Sequence, residues 1–145
     1  MTPAEIEDFL SAGPDVMAFA SINSDGSIHL ATVSLAFIDG AIWTKSKARA
    51  QKTINVRRHP FASCILSAGD DDYETMHGLY ARGPVSVHED YHAVYRVTQY
   101  ITARHEKQAS GGEPDLETVD RLTSGYVAIR FDDPTIVSWD HRKLV

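Results

Sequence analysis

Residues 28–45 contain the pattern that most restricts the fold of this chain: an apolar run, a two-residue turn and a second apolar run. The first run, IHLATVSLAF at 28–37, is mostly apolar on both of its alternating faces. Asp39-Gly40 follows, and Asp-Gly between two apolar runs predicts a tight hairpin turn. The second run, AIWTK at 41–45, therefore returns antiparallel to the first. A strand that is apolar on both faces suits a closed barrel or a covered sheet.

The rest of the chain extends this β-rich pattern. Apolar runs bounded by turn residues predict further strands at 16–23, 61–68, 76–89, 125–132 and 135–140. The strand at 76–89 is expected to bend or bulge at Gly83-Pro84. Helices are predicted after a Thr2 cap and at about 47–58, 91–107 and 116–122, with SGGEP at 110–114 breaking the chain between the last two. Hairpins dominate, so the order predicts a mainly β, β-rich α+β fold: a small barrel of about six or seven largely antiparallel strands with flanking helices.

Length and composition limit the class of protein. With 145 residues, 43% of them hydrophobic and 23% charged, the chain is expected to be one soluble domain over 1–145. A net charge of −6 argues against nucleic-acid binding, which requires a broad basic face. The single cysteine, Cys64, excludes an internal disulfide and is expected to be a buried, inert thiol. The sequence shows neither a signal peptide nor a membrane span, so we expect a cytoplasmic protein without a membrane partner.

A cluster of basic residues lies between Gly40 and Gly69 of this acidic chain. The interval contains no Asp or Glu and holds six of the fourteen basic residues: Lys45, Lys47, Arg49, Lys52, Arg57 and Arg58. Eight basic and twenty acidic residues lie outside it, so the net charge there is −12. Two explanations stay open. The helix has a solvated basic face, or it binds an anion such as a phosphate at its N-terminus.

A phosphate site would use the end of one strand and the first turns of the helix that follows. If the helical register begins near Lys45, then Lys45, Arg49 and Lys52 lie on one face, and Ser46 can cap the helix. Thr44 adds a hydroxyl donor at the end of the preceding strand. The remaining basic residues then point elsewhere and are expected to be solvated: Lys47, Arg57 and Arg58.

Other motifs are absent or weak. The sequence has no G-x-G-x-x-G, no G-x-x-x-x-G-K-[ST] and no G-x-S-x-G, which argues against a Rossmann dehydrogenase, a P-loop enzyme and an α/β-hydrolase. Residues 88–92 match the letters of H-E-x-x-H, but His88 ends a strand and Asp90 starts a helix, so the two imidazoles do not share a face. We therefore expect no metal site. His29 either faces a ligand or is an ordinary hydrogen-bonded or exposed strand histidine.

The order of these elements resembles the pyridoxamine 5'-phosphate oxidase-like family, the flavin-binding split β-barrel proteins. The resemblance covers roughly residues 6–90. It rests on a strand, Asp-Gly-Ser at 25–27, a second strand, Asp-Gly, a strand that ends in Thr44, and a basic segment with Lys, Asn and His-Pro. YARGPVSV at 80–87 is similar to the family's Val/Leu-x-Gly-x-Ala/Val strand. The C-terminal IVSWDHRKL is similar to endings found in the actinobacterial, deazaflavin-dependent branch.

The resemblance implies a split β-barrel that forms a homodimer with two cofactor sites at the subunit interface. It implies coenzyme F420 as the first choice of cofactor and FMN as the second, with hydride transfer to or from a small organic substrate. The longer acidic tail of F420 would use more cationic surface than FMN does. The alternatives are an FMN-binding protein of the same family, or a protein of this fold that binds a flavin, a deazaflavin or haem without catalysis.

The resemblance also implies roles for individual residues. Lys52 matches the family's helix lysine, and Thr44 matches its strand-end threonine. Ala50-Gln51 replaces the family's Ser-Arg pair, so the substitutes expected at the phosphate are Arg49, Lys45 and Ser46. The residues expected along the isoalloxazine ring are His29, Ala31, Thr32, Val33 and Ser34.

The resemblance leaves the proton donor and the substrate undetermined. No residue is an evident general acid; Tyr80, His77 or solvent could serve. Trp139 either closes the pocket or belongs to the core. Asp140-His141-Arg142 is only faintly similar to the substrate motif of true pyridoxamine phosphate oxidases, which argues against that substrate.

Overall fold

In the computed structural model, which describes residues 1–109 and 115–144, eight strands and four α-helices form a curled antiparallel half-barrel with helices around it. The strands are β1 (Val16–Ile22), β2 (Ile28–Ser34), β3 (Ala36–Ile38), β4 (Ala41–Lys47), β5 (Phe61–Ala68), β6 (His77–His88), β7 (Tyr126–Phe131) and β8 (Thr135–Asp140). The helices are α1 (Pro3–Ala12), α2 (Gln51–Arg58), α3 (Tyr91–Ala109) and α4 (Leu116–Thr123), with single 3-10 turns at Tyr73–Thr75 and His141–Lys143. This architecture confirms the predicted split β-barrel of the β-rich α+β class. The predicted break at 110–114 lies outside the described residues.

Helix α1 forms where its capping residues predict it. Thr2 Oγ1 accepts a hydrogen bond from the Glu5 N–H, and the Glu5 carboxylate accepts one from the Thr2 N–H at 2.6 Å. Phe9 and Leu10 are buried against the barrel. The helix ends where the Gly13 N–H donates to the Phe9 carbonyl.

The predicted strand at 28–37 is two strands rather than one. β2 ends at Ser34 and β3 begins at Ala36, with Leu35 between them only 1% exposed. The Leu35 N–H donates to the Asp15 carbonyl at 2.8 Å instead of to a ladder partner. β2 pairs with β1 and β3 pairs with β4, so the break carries the chain from one half of the barrel to the other.

Strand β6 joins the two halves of the barrel. The strand order is β2-β1-β5-β6-β7-β4-β3, and β8 also pairs with β6. β6 pairs with β5 as far as Pro84 and with β7 from Val85 onward, which confirms the predicted bend at Gly83-Pro84. Inside the barrel, the Phe19 and Phe131 rings pack edge to face with their centroids 6.0 Å apart. Helix α3 covers the other side of β3, β4 and β7 through a second apolar cluster. No helix in the described part of the chain is both long and apolar enough to cross a membrane.

Cys64 is predicted to be unreactive in the folded protein. Its thiol lies inside the barrel, and burial raises its pKa from 9.0 to about 12. The thiolate is the nucleophile, so a pKa higher by about three units lowers its population at neutral pH roughly a thousandfold. We expect a disulfide reagent such as DTNB to label Cys64 only in denaturant, with native labelling no faster than global unfolding. Rapid stoichiometric labelling of the native protein would contradict this assignment.

Candidate functional site

Helix α2 begins at Gln51 and not at the predicted position near residue 47. Strand β4 continues through Ser46 to Lys47, because both residues pair with β7 at Val127 and Tyr126. The residue at the helix N-cap position is Ala50, which has no side chain that could accept a hydrogen bond. The prediction that Ser46 caps this helix is therefore wrong. The first turn of α2 instead keeps backbone N–H groups without a capping side chain.

Thr44 and Ser46 face the interior of the barrel, where both are buried. Thr53, from the first turn of α2, places its Oγ1 atom 2.7 Å from Ser46 Oγ and 2.8 Å from the Lys47 carbonyl oxygen. Ser46 thus holds the first turn of α2 against β4 through its hydrogen bond with Thr53. Thr44 lies deeper on the same face of β4, and its Oγ1 makes only a long contact of 3.4 Å with the Lys45 carbonyl.

Lys45 lies on the opposite face of β4 from Thr44 and Ser46, because side chains alternate along a strand. Its Nζ donates to the Leu122 carbonyl at 3.0 Å and lies 4.3 Å from the centroid of the Tyr126 ring. Partial burial lowers the pKa of this amine. The grouping of Lys45 with Arg49 and Lys52 on one helical face is therefore wrong. Lys45 joins α4 to the sheet.

Two other cationic residues lie at the N-terminus of α2: Arg49 in the connecting turn and Lys52, the second residue of the helix. Within 1–109 and 115–144, neither side chain makes a hydrogen bond or ion pair. Lys47 ends β4 on the same face as Lys45, opposite Ser46 and α2, which agrees with the expectation that it points elsewhere. We call Arg49 and Lys52 the α2 cationic cluster.

The two remaining basic residues of the interval are engaged within the chain. Arg57 forms a surface ion pair with Glu89. Arg58 donates to the Ile22 carbonyl at 2.6 Å and to Asn55 Oδ1 at 3.1 Å. Neither is free to neutralise a ligand in the way that the α2 cationic cluster is.

Asn55 is the residue of α2 that sequence reasoning did not assign. It is 0% exposed and uses its full hydrogen-bonding capacity. Its Nδ2 donates to Ser21 Oγ at 3.1 Å and to Asn23 Oδ1 at 2.9 Å, while its Oδ1 accepts from Gln51 and Arg58. These bonds fix α2 against the end of β1. Asparagine has a low helix propensity, so its presence in a short helix was the available signal.

Strand β2 divides the residues predicted along the cofactor ring between two faces. Thr32 and Ser34 lie on the outer side of the sheet with Ile28 and Leu30. Ala31 and Val33 face inward, opposite Phe19 and Met17 of β1, and His29 faces inward opposite Ser21. The structure therefore does not place all five predicted residues on a single surface.

His29 has a buried nitrogen without a partner. Its Nδ1 atom makes no hydrogen bond to any described residue. Buried polar atoms in proteins almost always have a partner, so an orphaned one fits a ligand contact. Its cross-strand neighbour Ser21 is bonded to Asn55 of α2, which brings His29 to the end of the barrel where α2 packs. This arrangement favours the ligand-facing alternative for His29.

The outer side of the sheet formed by β2, β1, β5, β6 and β8 is a broad, nearly uncharged surface. We call it the outer face; it consists of every second residue of 28–34, 16–22, 61–67, 78–84 and 135–139. Its large apolar members are substantially exposed: Val16, Ile28, Leu30, Phe61, Ile65 and Val137. A cavity of about 130 Å³ opens on it where β1 and β5 separate, between Ile22, Ile28, Phe61 and Ser63.

Three residues considered at the sequence level have distinct positions. Tyr80 and Trp139 lie on the outer face, and Trp139 covers Gly78 so closely that a Cβ there would lie 2.6 Å from the indole. Trp139 is therefore part of a surface and not of the barrel interior. His77 lies against Phe9, with its Nδ1 2.9 Å from the Thr75 carbonyl oxygen. His88 belongs to β6 and His92 to α3, so the two histidines of the H-E-x-x-H letters do not share a helix.

Comparison with known proteins finds similar proteins among the solved structures. No protein-family model matches the chain, and no curated protein matches it either. A solved structure does: the conserved hypothetical protein Rv2991 of Mycobacterium tuberculosis is 35% identical, and the match covers 99% of this chain and 88% of that one with a TM-score of 0.88.

More distant solved structures share the fold alone. A proposed pyridoxamine 5'-phosphate oxidase of Listeria innocua is 21% identical over 94% of this chain and 97% of its own, with a TM-score of 0.67. An F420 reductase is 19% identical, and the match covers 90% of this chain and 94% of that one with a TM-score of 0.60. HutZ, the haem storage protein of Vibrio cholerae, is 12% identical, and the match covers 93% of this chain and 92% of that one with a TM-score of 0.64.

Proposed function

Because the chain belongs to the same family as Rv2991 of Mycobacterium tuberculosis and has the pyridoxamine 5'-phosphate oxidase-like split-barrel fold, we propose that it is a cofactor-dependent oxidoreductase that uses coenzyme F420. The observation that carries the proposal is the α2 cationic cluster. Two cations beside an uncapped helix N-terminus, neither of them with a partner in the described chain, suit an anionic group. A local positive charge in a chain of net charge −6 attracts anions to this place.

The choice of F420 over FMN rests on the resemblance to the deazaflavin-dependent branch. F420 carries a longer acidic tail beyond its phosphate and would use more cationic surface than FMN does. Arg49 and Lys52 would hold the phosphate. When bound, the cofactor supplies the hydride-transfer chemistry.

The chain's own contribution is to bind and orient. His29 would contact the ring through Nδ1, with Ala31 beside it on the same face of β2. Ser46, Thr53 and Asn55 hold the helix that carries the cationic cluster. This division of roles requires no protein nucleophile, which agrees with the inert state of Cys64.

A second copy of the chain is the proposed partner, seated on the outer face. The face is large, apolar and exposed, and such patches mark interaction surfaces. A two-fold axis brings the same surface of both subunits together, and a nearly uncharged face is compatible with itself. Because the cavity between β1 and β5 opens on this face, the dimer would enclose two such cavities.

Binding without catalysis is the second candidate function. His29 is the residue that favours a haem protein, since histidine commonly binds haem iron. The absorption spectrum of the purified protein, followed by titration with F420, FMN and haem, separates the candidates. Tight haem binding without F420 binding would replace the oxidoreductase proposal. F420 binding without reduction of any enone or quinone would favour a binding protein.

Replacement of Lys52 tests the site itself. We expect Lys52→Ala to weaken F420 binding by about 1.5–3 kcal/mol, the value of a charged hydrogen bond to phosphate, with the fold unchanged because the side chain has no protein partner. Isothermal titration calorimetry measures the change. Lys107→Ala, which removes an exposed lysine of α3, is the matched control and should bind as the wild type does. Equal affinity of Lys52→Ala and wild type would remove Lys52 from the site.

A further inference from the structure

Arg82 is the one charged residue among those that define the outer face. It projects from the middle of β6, with Ser63 of β5 and Thr135 of β8 directly beside it in the ladder. Its neighbours two residues away on the same strand, Tyr80 and Pro84, are uncharged as well. In the described part of the chain its guanidinium has no hydrogen bond and no ion pair.

Arg82 finds no counter-charge on the outer face of the proposed partner subunit. This inference rests on the dimer of the proposed function. A two-fold axis sets the outer face against itself, and that face offers no carboxylate. An arginine covered in this way without a counter-charge would strongly oppose association, because a buried unpaired charge is destabilising. A ligand with a negative charge would supply the missing counter-charge.

The surroundings of Arg82 indicate what kind of ligand this is. Its ladder partner Ser63 also lines the cavity of about 130 Å³, whose other walls include Ile22, Ile28 and Phe61. An apolar cavity of this size accommodates roughly one benzene ring. Guanidinium groups bind carboxylates through two parallel hydrogen bonds. An apolar recess beside an unpaired arginine therefore suits an organic acid.

We propose that Arg82 binds the carboxylate of an organic anion held between the two subunits, with the apolar part of that anion in the cavity between β1 and β5. This site is separate from the α2 cationic cluster, which lies at the end of β4. The anion is either a small substrate or an acidic group of the cofactor tail. The two sources share the same chemistry at Arg82 and differ in which molecule stabilises the dimer.

The test compares benzoate with its neutral isostere benzamide at constant ionic strength. The dimer dissociation constant of the cofactor-free protein is measured by sedimentation velocity. In the wild type, benzoate should tighten the dimer and benzamide should not. Arg82→Gln should dimerise about tenfold more tightly than wild type without any ligand, because the unpaired charge is gone, and should not respond to benzoate. Arg121→Gln, at an exposed arginine of α4, should behave as the wild type.

The outcomes separate this inference from the proposed function. Equal dissociation constants for wild type and Arg82→Gln, with no benzoate effect in either, would overturn the role of Arg82 and leave the dimer intact. A wild type that stays monomeric at every concentration would overturn the dimer and the role of Arg82 with it. The same dissociation constants are measured in a parallel series with F420. If F420 tightens the wild-type dimer but not the Arg82→Gln dimer, the anion is an acidic group of the cofactor. Tightening by benzoate alone assigns it to a substrate.

Discussion

The Ile65→Lys variant is expected to be a folded monomer that no longer binds F420. Ile65 lies near the centre of the outer face, between Ala18 of β1 and Tyr80 of β6, and is 46% exposed in the single chain. A lysine there remains solvated in the monomer but loses water in the dimer, where the outer face offers no acidic group and Arg82 lies diagonally across the ladder. Each dimer would bury two such ammonium groups, so we expect the dissociation constant to rise by about a thousandfold or more. F420 binding should be lost with the dimer if the cofactor sites lie at the subunit interface.

Sedimentation velocity and F420 titration on the same samples measure both effects. Leu116→Lys is the matched control, because Leu116 is 68% exposed on α4 and lies outside the outer face. That control should remain dimeric and bind F420 normally. An Ile65→Lys variant that dimerises like the wild type would show that the partner subunit uses a different surface. A monomeric variant with full F420 affinity would show that one subunit alone forms the site.

Local turn and cap chemistry in the sequence predicted the parts of the fold that depend on neighbouring residues. Asp39 and Gly40 both have positive φ angles, 51° and 75°, as a tight hairpin turn of this type requires. Thr2 and Glu5 form the capping box that their spacing indicates. The break at Leu35 has no such signal, because residues 28–37 contain neither glycine nor proline. The Asp15 carbonyl, twenty positions earlier in the chain, provides the hydrogen bond that ends β2 there.

The candidate site was also predictable only where it depends on neighbouring residues. Ser46 is a favoured N-cap residue, so its position before a basic run predicted the start of the helix. The start is displaced because Val127 and Tyr126 of β7, far along the chain, extend β4 through Lys47. That extension places Lys45 and Lys47 on one face of β4 and Ser46 on the other, and it turns Lys45 towards α4. Charge counting located the cationic interval, but only the register of β4 separates Lys45 and Lys47 from Arg49 and Lys52 at the helix.

The Asn55→Ala variant is expected to lose both stability and cofactor affinity. Alanine at this buried position removes four hydrogen bonds and leaves Ser21 Oγ and the Gln51 amide without their partners. Deletion of a fully bonded buried side chain should reduce the free energy of unfolding by about 2–4 kcal/mol. Urea denaturation measures this loss. Arg57→Ala is the matched control on the same helix, because its pair with Glu89 is a surface ion pair worth about 0–1 kcal/mol.

A second measurement shows which contact positions the α2 cationic cluster. It is the affinity of Asn55→Ala for F420, taken at a temperature where the variant is folded. Asn55 holds the helix against β1, whereas Thr53 holds its first turn against Ser46 and Lys47. If both contacts are needed, affinity should fall several-fold although Asn55 itself does not touch the cofactor. If stability falls and affinity does not, the Thr53 contact alone orients Arg49 and Lys52. In that case Thr53→Val, which keeps the shape and removes the hydroxyl, should weaken F420 binding instead.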